Sequence, residues 1–148
     1  MKTLHFSTEI EATPEKVWKN LWDKSTYTEW TQPFCEGSYY EAKEWKEGGR
    51  VHFLAPNGSG MYSDIEKLDE NKYASFKHLG ELKDGKELPL DEKSKLWSGS
   101  HENYKLVTHG SLTEVQIELQ VPEAESHYME EAWPKALELL KRISEGRA

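Results

Sequence analysis

Two residues of this sequence could do acid–base chemistry inside an enclosed site, a histidine at position 78 and a glutamate at position 102. His78 lies in the alternating segment KYASFKHLG, while Glu102 and Tyr104 lie in the alternating segment HENYKLVTHG. Side chains two residues apart share one face of a strand, so the pattern predicts that all three point to a buried face. A buried histidine or carboxylate needs a partner, and His78 and Glu102 could be each other's partner on neighbouring strands. If one strand is shifted by one residue, both face water instead.

The other reactive residues show no motif of a known chemistry. The six histidines have neither the HxxxH nor the HExxH spacing, so we predict no metal and no cofactor. Cys35 is the only cysteine and has no histidine close to it in the sequence, which favours a buried, unreactive thiol. There is no glycine-rich phosphate loop. The sequence therefore favours binding over covalent or metal-dependent catalysis.

Charge and length exclude some classes of function. The 148 residues carry a net charge of −8 without a basic patch, which disfavours binding to nucleic acid. No apolar stretch approaches the roughly 18 residues of a membrane span, and the N-terminus lacks an apolar signal-peptide core. We therefore expect a cytoplasmic chain without membrane insertion. The length suits one domain over residues 1–148. Six Trp, seven Tyr and four Phe would supply its core.

The elements that must position these residues follow a simple order. Alternation predicts a strand over residues 2–10, and Thr13 and Pro14 are typical of a helix N-terminus. A second short helix is expected over residues 25–30, and Pro33 follows it. A long helix is expected over residues 125–145. The strands between the helices are predicted in the segments CEGSYYEAKEW, RVHFLA, GMYSDIEKL, KYASFKHLG, HENYKLVTHG and SLTEVQIELQV.

Two connections have distinct patterns. Asn57-Gly58 predicts a hairpin with a type I′ turn, in which both central residues have positive φ. Residues 80–100 have many charges and no clean period, which predicts a long loop with room for one helical turn.

This order has no strand-helix-strand repetition, which favours an antiparallel sheet and the α+β class. About seven strands would form one curved sheet with one dry face. The C-terminal helix is the element long enough to cover that face, and a curved sheet wrapped around one helix can leave a cavity between them.

The N-terminal stretch TPEKVWKNLWDKSTYTEW, together with the element order, resembles the START-like or SRPBCC superfamily, which has the helix-grip fold. Pro14, Val17 and Trp18 match the family's start of the first helix, and Trp30 matches the tryptophan that closes the second. Within the superfamily, the stretches WSGSHENYKL and AWPKALELLK are similar to a small single-domain branch of the activators of the heat-shock protein 90 ATPase. The resemblance covers essentially the whole chain.

The resemblance implies a pocket between the sheet and the C-terminal helix that takes lipids, polyketides or other apolar molecules. Strand alternation and the expected pocket mouth supply the candidates for its lining. These are Trp30, Phe34, Tyr40, Phe53, Met61, Phe76, His78, Trp97, Glu102, Tyr104 and Trp133. The alternative is that the large side chains among them simply form the core, as such residues usually do.

Three functions follow from these observations. The leading hypothesis is binding of a small hydrophobic or aromatic ligand, lipid-like or polyketide-like, oriented by His78, Glu102 and Tyr104. The first alternative is a cyclase- or hydrolase-type enzyme that uses His78 and Glu102 as an acid–base pair. The second is a chaperone-associated interaction module, with the apolar residues of segment 81–100 as its surface. A homodimer is possible in each case.

Pro134 raises a further question, because it lies inside the predicted final helix. A proline there removes a backbone donor and crowds the carbonyl of Glu130, at a cost of about 3 kcal/mol or more. The bend could merely fit the helix to a curved sheet. Alternatively, the bend and the small residues Ala132 and Ala136 could make room for a pocket.

Overall fold

The computed structural model describes residues 1–146 and has the α+β architecture expected from the sequence. Within these residues, one eight-stranded antiparallel sheet has the order β1-β8-β7-β5-β4-β3-β2, and β6 pairs with β5 outside this path. The strands are β1 (Lys2–Ile10), β2 (Tyr39–Ala42), β3 (Arg50–Leu54), β4 (Gly60–Asp69), β5 (Tyr73–Lys83), β6 (Lys86–Glu87), β7 (His101–His109) and β8 (Leu112–Val121). The helices are α1 (Pro14–Trp22), α2 (Lys24–Trp30) and α3 (Ser126–Ser144).

The N-terminus of α1 confirms the expected cap. Thr13 has an extended backbone, and its hydroxyl accepts a hydrogen bond from the backbone N–H of Lys16 at 3.2 Å. Pro14 occupies the first turn, where its missing N–H costs nothing. One face of α1 is buried, and this fixes the helix against the sheet. Its buried residues are Val17, Trp18, Leu21 and Trp22.

The hairpin between β3 and β4 forms as expected, but the predicted turn type is wrong. Gly58 has a φ of +85°, whereas Asn57 is not among the described non-glycine residues with positive φ. Asn57 instead accepts a hydrogen bond from the backbone N–H of Ser59 at 3.0 Å through its side chain. This local side-chain bond stabilises a different turn, as asparagine often does.

Segment 80–100 is more ordered than the predicted long loop. The strand β5 continues to Lys83, turns through Asp84 and Gly85, and returns as β6. Both turn residues have positive φ, +52° and +75°, so the conformation expected at Asn57-Gly58 occurs at Asp84-Gly85. A short 3₁₀ helix over Ser94–Leu96 follows, and it provides the helical turn expected in this segment.

A β-bulge interrupts the pairing of β4 with β5. Ser63 pairs with His78 and Tyr62 pairs with Gly80, so Leu79 is the extra residue of β5. An extra residue changes which face the following side chains occupy. Glu81, which would face outward by strict alternation from His78, therefore shares a face with Met61.

Helix α3 closes the fold by packing on β1, α1 and α2. Trp133, Ala136, Leu137 and Leu140 are buried on its inner face. Pro134 lies on the solvent side, and so does Glu130, whose carbonyl the proline leaves without a helical donor. Solvent can hydrate that carbonyl, so the position favours the simpler explanation of the proline, a helix fitted to its core.

Candidate functional site

A cavity of about 280 Å³ opens where the starts of β4 and β7 and the end of β8 meet the first turns of α3. It is less open than the larger depressions of the described surface, such as the one of about 480 Å³ across β1, β7 and β8. One part of its lining is apolar and comprises Met61, Trp97, Leu119, Val121, Pro122 and Met129. The rest comprises Gly60, His78, Glu81, Lys93, Ser100, Glu102, Gln120 and Glu125. Such a mixture of an apolar wall with a few polar groups is typical of small-molecule sites.

A chain of hydrogen bonds joins four residues of the cavity wall and the layer behind it. Ser63 Oγ lies 2.7 Å from His78 Nδ1, and His78 Nε2 lies 3.3 Å from Glu102 Oε1. The Tyr104 hydroxyl donates to Glu102 Oε2. His78 and Glu102 therefore face the same cavity and contact each other, as expected if their strands keep the predicted faces.

Both nitrogens of His78 are engaged in this chain. Its side chain is 7% exposed and Ser63 is fully buried, so neither group is open to solvent. Ser63 can donate to a neutral imidazole or accept from a protonated one, which lets His78 donate to Glu102 in both states. Ser63 thus fixes the orientation of the ring.

The environment of Glu102 favours its ionised form. Burial alone raises the pKa of this carboxyl, but the hydrogen bond and charge of His78 and the hydrogen bond of Tyr104 together outweigh it, so the pKa is lowered. The pKa of Tyr104 is raised well above its usual value, mainly by burial and then by the charge of Glu102. The wall therefore carries a carboxylate next to a neutral phenol at neutral pH.

The segment before β7 holds Trp97 at the cavity. The backbone N–H of Gly99 donates to the carbonyl of His78 at 2.7 Å, and the backbone N–H of His78 donates to the carbonyl of Ser100 at 2.8 Å. The hydroxyl of Ser98 donates to the carbonyl of Leu79 at 2.7 Å. The segment is thus bonded to the bulged part of β5, and the half-buried Trp97 ring has a defined place.

Of the residues predicted from the sequence, Met61, His78, Trp97 and Glu102 line this cavity. The other seven belong to the hydrophobic core or pack against it, and they do not line this cavity. Ring centroids lie 4.9 Å apart for Phe34 and Trp133 and 5.8 Å apart for Phe76 and Tyr104. Those seven are Trp30, Phe34, Tyr40, Phe53, Phe76, Tyr104 and Trp133. Their role in binding a ligand stays a prediction.

Two buried indole N–H groups, those of Trp22 and Trp133, have no hydrogen-bond partner within the described residues. Trp30, by contrast, donates its indole N–H to the carbonyl of Leu21 at 3.0 Å. Trp133 follows the cavity residue Met129 by one turn and belongs to the buried aromatic layer of the core, where its ring centroid lies 4.9 Å from that of Phe34. An unpaired buried donor is unusual, and it gives this layer an unused polar group.

Sequence reasoning missed ten residues of the cavity lining and also Ser63 behind it. The missed lining residues are Gly60, Glu81, Lys93, Ser100, Leu119, Gln120, Val121, Pro122, Glu125 and Met129. Ser63 shares a strand face with Met61 and Ile65, so simple alternation could have found it. Glu81 reaches the cavity because of the bulge at Leu79, and the sequence carries no clear signal for that bulge. The small residues expected to make room, Ala132 and Ala136, are buried and do not line the cavity.

Other candidate chemistries lie outside this site. Cys35 is exposed, so the prediction of a buried thiol is wrong. The residues that the structure describes include no group of three or more His, Cys, Asp or Glu side chains that could hold a metal ion. No helix among the described residues is long and apolar enough to cross a membrane.

A curved antiparallel sheet that grips a long C-terminal helix, with a cavity between them, defines a helix-grip domain of the START-like class. The family model described as Activator of Hsp90 ATPase homolog 1-like protein matches residues 11–145. The chain belongs to this family, as the resemblance of its helix motifs predicted.

Solved structures show the same fold. The Aha1 dimer from Colwellia psychrerythraea has a TM-score of 0.70 at 21% identity, with 98% of this chain and 97% of that chain covered. Protein MLL2253 from Mesorhizobium loti has a TM-score of 0.72 at 18% identity, with 96% of each chain covered. DynU16, from the dynemicin biosynthetic locus, has a TM-score of 0.71 at 11% identity, with 99% of this chain and 49% of that chain covered. A search among curated proteins finds no match.

Proposed function

We propose that this chain is a single-domain cytoplasmic protein that binds a small apolar or aromatic molecule in the cavity beside His78 and Glu102. One observation carries the proposal: a semi-enclosed cavity has an apolar wall and a buried, hydrogen-bonded His78–Glu102 pair on one side. The stability of the fold alone does not explain the carboxylate of Glu102 beside the cavity, because an apolar residue at this position would avoid the free-energy cost of burying a charge.

The size of the cavity limits its ligand. A cavity of roughly 150 Å³ holds benzene, so about 280 Å³ suits one or two fused rings or a short chain. Met61 and Met129 can adapt to different shapes, because the thioether side chain is flexible. In this proposal, the aromatic core supports the residues that contact the ligand. The supporting side chains are Trp30, Phe34, Tyr40, Phe53, Phe76 and Trp133.

The relatives are compatible with such a function. DynU16, with which the chain shares its fold, comes from the dynemicin biosynthetic locus. This supports a biosynthetic small molecule, lipid-like or polyketide-like, as the kind of ligand to test first. Since fold alone does not transfer function, the test must be made on this chain.

Filling the cavity tests the proposal directly. Met129→Trp places a larger side chain in the cavity and should abolish binding of 1-naphthol and 1-methylnaphthalene, measured by calorimetry and by the indole signal of Trp97 in NMR. His127→Trp is the matched control, because His127 lies two residues earlier on α3 with its side chain 86% exposed. Equal binding by both variants, or no binding by the unaltered protein, would refute a ligand site here.

A second candidate function is acid–base catalysis on the bound molecule. The observation that favours it is the 3.3 Å contact of His78 Nε2 with Glu102 Oε1 on one cavity wall, because both groups could exchange protons there. Mass spectrometry of a molecule that has been incubated with the protein distinguishes the two functions. A ligand recovered unchanged supports a binding protein, and a cyclised or hydrolysed product supports an enzyme.

Partner proteins form the third possibility. The Colwellia psychrerythraea relative is a dimer, and we propose that this chain also forms a homodimer, which sedimentation analysis can test. Leu90 and Leu96 are 43% and 70% exposed on the segment expected to contact a chaperone. Stimulation of a purified Hsp90 ATPase by this chain, and its loss in Leu96→Asp, would support that function.

A further inference from the structure

We propose that the cavity selects ligands that carry a hydrogen-bond donor next to an aromatic ring system, above all small arylalkylamines, whose amine is an ammonium at neutral pH, and rejects carboxylates. This inference rests on the proposed ligand-binding function and names the chemical class of the ligand.

The hydrogen-bond chain leaves the inner wall of the cavity, which His78 and Glu102 form, without a free donor. His78 uses Nδ1 with Ser63 and Nε2 with Glu102, and the Tyr104 hydroxyl gives its proton to Glu102. A ligand group that offers only acceptors therefore finds no free donor on His78 or Tyr104. The hydroxyl of Ser100 also lines the cavity, and it can accept as well as donate.

Glu102 retains capacity to accept. An ionised carboxylate has about four lone-pair positions, and each oxygen of Glu102 is bonded once within the chain. Its side chain is 18% exposed and lies on the cavity wall, so part of the carboxylate is open to the cavity. A donor on the ligand can reach it, and a charged donor forms the stronger bond.

The charges around the cavity favour the same class of ligand. Glu81, Glu102 and Glu125 line it, and Lys93 is the one ammonium among the described residues of the lining. Lys93 and Glu125 are exposed at the rim, where water screens them, whereas Glu102 lies further inside. Protonation of His78 would offset part of this negative charge without giving the ligand a free donor. An anionic group next to Glu102 therefore meets repulsion without a free donor on His78 or Tyr104, and the ammonium of Lys93 that could offset it lies at the exposed rim.

The indole of Trp97 also favours a ligand with a positive charge. Its half-buried ring lines the cavity, and the bonds of Ser98 and Gly99 to β5 hold its segment in place. The face of an indole attracts a cation within about 6 Å, most strongly where water is excluded. A ligand ammonium between Trp97 and Glu102 would gain from both groups.

Four naphthalene probes of one shape test the inference by calorimetry. They are 1-naphthylmethylamine, 1-naphthol, 1-methylnaphthalene and 1-naphthoate. The amine should bind at least about tenfold more tightly than the naphthoate, as one charge-assisted hydrogen bond allows. Glu102→Gln should abolish this preference but keep the binding of 1-methylnaphthalene. Glu9→Gln, with the same change of charge at the far end of β1, should retain it.

The outcomes separate this inference from the proposed function. Equal binding of all four probes, tighter binding of the naphthoate, or an unchanged preference in Glu102→Gln would overturn the inference and leave the ligand site standing. Failure of all four probes to bind would overturn both. Thermal unfolding and an amide NMR spectrum of each variant confirm that it is folded, and Glu102→Asp, which restores the charge, should recover part of the preference.

Discussion

At the scale of single residues, the site depends on four polar side chains that share one network. Glu102 accepts from His78 and Tyr104, and Ser63 holds the far side of the imidazole. Alternation along β5 and β7 predicted that His78, Glu102 and Tyr104 share a face, because the period of a strand is a local property. The contact between His78 and Glu102 also needed the two strands to be neighbours, and the sequence left that open.

Buried tyrosines make the protein sensitive to alkaline pH. Burial is the largest cause of the raised pKa values of Tyr27, Tyr40 and Tyr104. The unfolded chain releases these protons near pH 10, whereas the folded chain keeps them. Above that pH the unfolded state binds fewer protons, so the free energy of unfolding should fall by about 1.4 kcal/mol per pH unit for each of Tyr27 and Tyr104, and Tyr40 should add to the fall in the same direction.

Urea unfolding at a series of pH values measures this slope, and the ultraviolet absorption of tyrosinate reports ionisation in the folded state. Tyr27→Phe removes one of the three phenols and should reduce the slope. A free energy of unfolding that stays constant as the pH rises through this range would contradict the expectation.

At the scale of elements, a bulge in β5 shapes the site, and a proline fits α3 to the core. Leu79 is the extra residue of β5, and it brings Glu81 to the cavity side. Pro134 lies on the exposed side of α3, one turn and a residue beyond Met129. The sequence revealed the proline at once but not the bulge, because a bulge depends on how two strands pair.

Pro134→Ala tests whether the proline serves more than the fit of the helix. The new residue supplies a backbone N–H to the carbonyl of Glu130, so the free energy of unfolding should rise by about 1 kcal/mol or more. Affinity for 1-naphthol should stay unchanged, because the exposed proline touches no part of the cavity lining. Urea unfolding and calorimetry provide the measurements, and Lys135→Ala at the next exposed position is the control. Altered affinity would show that the proline positions Met129, and lower stability would contradict the expected gain.

At the scale of the whole molecule, aromatic side chains from every layer fill the centre of the fold. Tyr104 of the sheet lies 4.8 Å from Trp22 of α1 and 6.0 Å from Trp133 of α3, measured between ring centroids. Trp30 of α2 lies 6.0 Å from Trp133. This packing confines the described cavity near His78 and Glu102 to one end of the helix–sheet interface.

Ala136→Phe tests how tightly this centre is packed. Ala136 is fully buried in the core, so the larger ring should lower the free energy of unfolding by about 1–3 kcal/mol through overpacking. Lys135→Phe introduces the same ring on the exposed side and should have little effect. The urea midpoints of the two variants measure this difference in stability. An Ala136→Phe variant of unchanged stability would mean that an unfilled space lies beside this residue.

The sequence by itself determined the α+β class, the family, the faces of the strands and the cap of α1. Each of these depends on short-range patterns, such as the period of two in β8 or Thr13-Pro14 before α1, which the chain carries locally. Only the tertiary structure decided the pairing of His78 with Glu102, the arrival of Glu81 and the exposure of Cys35. It also decided that most of the candidate aromatic residues pack together while four candidates line a cavity. Those outcomes depend on strand register and on how large side chains fill a shared volume, and both involve residues far apart in the chain.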